Sequence, residues 1–199
     1  MTTPDIRQLD ADAVRASVAV VSQATGPDLD RATPCGDWTL AELLAHMTAQ
    51  HHGFAAAAAG RGADPAVWQT TVDGDDPVSA YAAAAEQVIA AFAQDGVLQR
   101  PFTLPEITTR ITFPGAQAIG FHFIDYVVHT WDVARSLGIA LQLPADLVLA
   151  ALPIAEAVPD GDERQRPGAA FRPSLPVPAD VDPLDRIVAL LGRSPTWPT

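Results

Sequence analysis

The stretch Thr39-Leu-Ala-Glu-Leu-Leu-Ala-His-Met-Thr-Ala-Gln50 opens on a threonine with Glu42 three residues on. That pair is the reciprocal cap of a helix N-terminus, threonine hydroxyl to backbone and glutamate carboxylate back to the cap. Leu40, Leu43, Leu44 and Met47 then recur at helical spacing, which predicts a helix running to about Ala59. Upstream, Thr33-Pro-Cys-Gly-Asp-Trp38 reads as a turn. Before it, Leu9, Val14, Val18 and Val21 mark a helix over Asp5 to Ala24, ended by Gly26 and Pro27. Downstream, Gly60 to Asp76 reads as loop. Asp76 as cap with Pro77 behind it starts a third helix, Val78 to Ala93.

Asp95 to Gly115 holds Thr, Ile, Phe and three prolines, the composition of an extended segment with a short hairpin. A fourth helix follows, Ala116 to Leu137, stopped by Gly138. A fifth covers Ala145 to Ala157. Pro159 to Pro178 is a loop bearing Pro and Arg, and Asp182-Pro183 opens a short last helix, Leu184 to Leu191. The expected architecture is all-α: one domain over 1–199, a four-helix bundle with an irregular segment before its fourth helix and a C-terminal loop plus short helix.

Charge narrows the function. The 199 residues carry 24 acidic and 12 basic side chains, all twelve of them Arg, for a formal charge of -12. A field of that sign repels phosphate backbones and anionic lipid, so neither nucleic acid nor a membrane surface is the expected partner. The single cysteine, Cys35, excludes an intrachain disulfide and any multi-cysteine metal site. The longest apolar run, around Leu147 to Val158, is short and holds Pro153 and Glu156, too little to span a bilayer. Met1 to Asp10 lacks a basic segment followed by an apolar one, and a cytoplasmic location is expected.

Five histidines carry the chemistry: His46, His51, His52, His122 and His129. Asp125 and His129 are four apart on the fourth helix, about 40° around its surface and one turn along it. Phe121, Ile124, Val127 and Val128 surround them, so this helix is buried. Carboxylate and imidazoles there are costly unless compensated, and a divalent ion reached by both Asp125 and His129 compensates them. His46, among Leu43, Leu44 and Met47, is the best third donor, with Gln50 one turn beyond it. His51 and His52 fall off that face and are expected to be partly solvated.

Plainer readings stand beside these. His46 is equally a satisfied core histidine, and Asp125–His129 a structural hydrogen bond. His122, seven before His129, fits a core or supporting position better than a ligand. Asp132 caps, pairs with an Arg, or supports His129 from behind. Cys35 reads as a small buried turn residue. Arg164, Arg166 and Arg172 of the late loop read as solvated members of surface ion pairs, with substrate-carboxylate binding the sharper alternative.

Three motifs in order carry a resemblance: the stretch from Thr33 to His46; Asp125-Tyr-Val-Val-His129-Thr-Trp-Asp-Val-Ala-Arg135; and the tail from Pro176 to Arg193. Together they resemble DinB-like metal-binding bundles. The nearer likeness is to the actinobacterial group related to the N-terminal domain of mycothiol-dependent maleylpyruvate isomerase. The resemblance implies a four-helix core with one ion, zinc or else nickel, held near one end by His46, Asp125 and His129. Helix spacing, not the resemblance, sets Gln50, His122 and Asp132 around them as supporting or pocket residues. Open coordination positions would take water or a thiol, with mycothiol as cosubstrate and an electrophile as its partner. The group's usual Glu is Asp125 here, one methylene shorter. The isomerase also has a further C-terminal domain, for which this chain is too short, so maleylpyruvate isomerisation is not assumed.

Two functions follow in the main: a metal-dependent thiol transferase or isomerase, or a non-catalytic metal-binding module for stress response or interaction. A metal-free small-molecule carrier is the third. The oligomeric state, a homodimer included, is left open.

Overall fold

The computed structural model describes residues 5–36, 38–71, 76–166, 169–178 and 180–198. Asp37 of the expected turn, 72–75 of the first long loop and 167–168 of the late loop lie outside the described residues.

Each strong start signal produces a helix. Asp5 caps α1 (Ile6–Val21) by accepting from the Arg7 amide. Thr39 caps α2 (Leu40–Ala58), its amide donating to Glu42 Oε2 at 2.8 Å. Asp76 caps α3 (Pro77–Phe92) by accepting from Ser79. Such caps are worth ~1 kcal/mol each. α4 runs Gly115–Leu137 and ends where Gly138 turns left-handed at φ 70°, a conformation that costs a side-chain-bearing residue more than glycine. α5 (Ala145–Ala157) and α6 (Pro183–Leu190) complete the helices.

α1 packs on α4 and α3, and α2 packs on α3 and α4, closing a four-membered bundle. α5 and α6 pack on each other, and α5 lies against α4. The extended segment forms a hairpin, β1 (Pro101–Leu104) against β2 (Thr108–Pro114), antiparallel with Phe102 opposite Phe113. The fold is thus mostly helical with one small two-stranded sheet.

The core divides in two. One cluster gathers Val14, Leu43, Leu44, Met47, Tyr126, Val127, Leu147, Ile187 and Leu191 from five helices and the turn after α6. The other seats Phe54, Trp68, Phe92, Phe102 and Ile119 where the hairpin covers the bundle. Here α2 comes so close that a Cβ on Gly53 would lie 2.2 Å from the Trp68 ring.

Between the clusters runs a fully buried polar chain. His122 Nδ1 lies 2.6 Å from Asp10 Oδ1, and His122 Nε2 lies 3.1 Å from His51 Nδ1. His51 stacks on Tyr126 with ring centroids 4.1 Å apart. The expectation of a partly solvated His51 is therefore corrected. α2 is flanked by α3 and α4 together, so its buried arc is wider than the leucine stripe alone. His52 is exposed as expected.

The late loop also departs from expectation. Arg164 is buried and donates to the carbonyls of Val158, Pro159, Arg172 and Leu190. It ties the loop to the end of α6 because four chain carbonyls converge there and a guanidinium carries enough donors to satisfy them; it is buried rather than solvated, yet still pairs with the exposed Asp160 at 3.4 Å. Arg166 and Arg172 are exposed. Among the described residues no helix is long and apolar enough to cross a membrane.

Candidate metal centre

His46 sits in the second turn of α2, Asp125 and His129 in the second half of α4. The two helices pack on each other, and one donor atom from each of the three residues lies within 4.8 Å of the others. His129 Nε2 is 3.4 Å from Asp125 Oδ1. The His46 and His129 rings meet edge-on at 5.5 Å, and Trp38 leans on His46 at 4.9 Å. His129 is buried, while Asp125 keeps about a fifth of its side chain exposed (22%). The cluster therefore opens on its Asp125 side.

The far nitrogen of His129 is already committed. Nδ1 lies 2.9 Å from Asp132 Oδ2. Asp132 also accepts from the Cys35 thiol at 2.9 Å and pairs with Arg193 at 3.3 Å. A histidine that gives Nδ1–H to a carboxylate behind it turns Nε2 forward in fixed orientation, the arrangement found behind metal-ligating histidines.

A second triplet, Cys35, His129 and Asp132, also has donor atoms within 4.8 Å. Its chemistry fits a cation poorly. Arg193 already neutralises Asp132 and lies 3.6 Å from the Cys35 sulfur. Burial pushes the thiol pKa up, and Asp132 adds to this against His129 and Arg193; a metal needs the thiolate. Among the described residues, Asp125 of the first triplet pairs with no Arg.

Electrostatics separate the two imidazoles. Burial, then the neighbouring His129, lowers His46 to about 4, so its ring is neutral and free to donate a lone pair. Burial also disfavours charge on His129, but Asp125, the Asp132 hydrogen bond and Cys35 outweigh it and hold its pKa well above the usual value. The carboxylates on either side of His129 thus favour positive charge at this point.

Of the expected neighbours, Asp132 supports His129 and pairs with an Arg as well, two roles that the sequence offered as alternatives. Gln50 is buried and donates to Glu106 Oε2 at 2.7 Å. His122 does not reach the cluster: its bonds go to Asp10 and His51. Seven residues place it on the same helix face as His129 but ~10 Å along the axis, so of the two positions expected for it the core one holds and the supporting one beside the cluster is corrected. Three residues near the site carried no local signal in the sequence. Glu106 arrives on the hairpin turn as an exposed residue, its carboxyl raised by partial desolvation against the Gln50 hydrogen bond, with the nearby Asp125 adding to the rise. Arg193 arrives from beyond α6. Trp38 belongs to a turn that reads only as a turn.

Comparison with known proteins identifies the family. Residues 11–134, which contain all three donors, match the mycothiol maleylpyruvate isomerase N-terminal domain. Two Mycobacterium tuberculosis sequences, the uncharacterized proteins MT0763 (strain CDC 1551 / Oshkosh) and Rv0738 (strain ATCC 25618 / H37Rv), are each 30% identical over 181 residues, 90% of this chain and 92% of theirs. The crystal structure of the mycothiol-dependent maleylpyruvate isomerase shares the fold at TM-score 0.59 and 14% identity, covering 79% of this chain and 71% of that one. The chain therefore belongs to the mycothiol maleylpyruvate isomerase N-terminal domain family.

Proposed function

We propose that this protein binds one divalent ion through His46, Asp125 and His129, zinc first and nickel second, and uses it to present a low-molecular-weight thiol to an electrophile. The observation that carries this reading is the convergence of three donor atoms within 4.8 Å while His129 Nδ1 is engaged from behind by Asp132. Three protein donors leave a coordination position for an exogenous ligand. When bound, such an ion lowers the pKa of a thiol and orients it.

The chain's own residues supply the rest. His46 donates as a neutral ring. Asp125 provides a charged oxygen on the open side of the cluster. Asp132 orients His129. Trp38 covers His46 and limits water on that side. Family membership makes mycothiol the first thiol to try, and an S-transferase or isomerase the reaction type. One apolar cluster joins α1, α2, α4, α5 and α6, which supports reading residues 1–199 as one domain.

The test is direct. Untagged protein, loaded with zinc and dialysed, is assayed for metal content and then given mycothiol with monochlorobimane. About one zinc per chain and conjugation faster than the protein-free rate are expected. Zinc retention with conjugation at background across a thiol panel leaves the metal-binding module, and no retained zinc overturns the reading.

Asp125→Glu is expected to keep zinc at full stoichiometry, because the longer carboxylate is the one the resemblance leads one to expect there. Asp125→Ala is expected to lose it, since two remaining side chains rarely hold the ion. Equilibrium dialysis of both variants checks this pair, and loss of zinc in the Glu variant would show that the backbone has closed around the shorter side chain.

A further inference from the structure

Arg193 lies beyond the 11–134 segment that matches the family, yet it reaches the back of the candidate metal centre. The chain delivers it deliberately. α6 ends at Leu190, Gly192 reverses the backbone at φ 80°, and the Arg193 amide donates to Val188 O at 2.9 Å. Arg164 pins this end by donating to Leu190 O at 2.6 Å, and Arg135 holds the carbonyl of Pro195. Arg193 is buried (6% exposed), and its guanidinium lies over the Phe171 ring at 5.5 Å, donates to Leu191 O at 2.9 Å, and meets Asp132 Oδ2 at 3.3 Å.

Asp132 is held through that one oxygen. Oδ2 accepts from His129, Cys35 and Arg193 together, while the buried Oδ1 has no partner among the described residues. The carboxylate's orientation therefore depends on the donors that converge on Oδ2, and Arg193 is the one permanently charged among them. Removing it leaves a buried carboxylate without its permanent counter-charge and with a free oxygen about which to turn.

We infer that Arg193 is a positioning residue: through Asp132 it fixes the His129 ring with Nδ1–H rearward and Nε2 toward His46 and Asp125. The C-terminal segment is then part of the site. The inference rests on the metal-binding reading for its second readout only.

The experiment compares full-length wild type with Arg193→Gln. In metal-free protein, long-range 1H–15N NMR should show a slowly exchanging Nδ1–H for His129 in wild type, and that signal should be lost in the variant. Zinc affinity, measured by competition with a chromophoric chelator, should fall ~10–100-fold, the usual cost of losing a supporting partner behind a ligand. An Arg193→Gln protein that unfolds cooperatively and keeps both the signal and wild-type affinity overturns the inference. If Arg193→Gln does not fold, Asp132→Asn with Arg193→Met replaces the buried pair by a neutral one; wild-type signal and affinity there overturn it equally. Wild type that takes up no zinc sinks the metal reading, while the NMR comparison still decides the role of Arg193.

Discussion

Replacing His129 by alanine is expected to remove divalent-metal binding altogether, with zinc per chain falling from about one to below ~0.1 after dialysis, because neither remaining donor set has three side chains. His129 is the residue common to both triplets of potential donors. His46→Ala dismantles only the first triplet and leaves Cys35, His129 and Asp132 together, so the pair of variants tells the two sites apart. Loss of zinc in both variants assigns the ion to His46, Asp125 and His129. Loss in His129→Ala with full retention in His46→Ala assigns it to the Cys35 side, against the proposed centre. His52→Ala is the control, since His52 is exposed and is expected to bind zinc as wild type does. Retention of stoichiometric zinc by His129→Ala would remove the basis of the proposed function.

The second large effect is acid lability of the metal-free protein. His46 is lowered to about 4 by burial and by His129. His51 is lowered well below its ordinary 6.5 by burial, then by His122 and His52. Both rings stay neutral in the folded chain at pH values where they are protonated in the unfolded one. Depressed folded-state pKa values contribute stability that is present above about pH 6.5 and lost as pH falls toward the folded values. The unfolded state then binds two more protons, and the slope is roughly 2.7 kcal/mol per pH unit. At pH 5 the pair costs about 4 kcal/mol relative to pH 7, a large part of a typical 5–15 kcal/mol.

His129, raised instead, already holds its proton in the folded chain while the unfolded chain is still taking one up near pH 6.5, so it offsets part of the loss in the upper part of this interval and adds nothing well below it. Asp10, raised by burial against the pull of His122, offsets part of the loss as the folded state takes up its proton. Urea midpoints of metal-free protein at pH 7 and pH 5 check the expectation. His46→Gln should roughly halve the acid loss, and an unfolding free energy unchanged to within ~1 kcal/mol between the two pH values would refute it.

Much of the fold was legible because its determinants are local. Thr39 with Glu42, Asp76 with Pro77, and Gly138 each specify a helix boundary within one turn of chain, and the structure puts α2, α3 and α4 within a residue of those signals. Asp125 and His129 were readable as neighbours for the same reason, since four residues on a helix fix their separation whatever else the chain does. His122 shows where that reasoning stops: a helical wheel gives the angle and hides the ~10 Å rise.

What only the tertiary structure decided was every meeting between residues far apart in sequence. His46 reaches His129 because α2 and α4 pack together, and His51 is buried because α2 has neighbours on two sides. Glu106 and Arg193 arrive at the site from a hairpin turn and a C-terminal segment. None of these depends on a local periodicity or cap. Each depends on which faces satisfy one another when the apolar clusters close, and that is a property of the whole chain. The sequence by itself determined the helices and named the donors, while packing selected which of the five imidazoles could share an ion and supplied the Arg–Asp pair behind one of them.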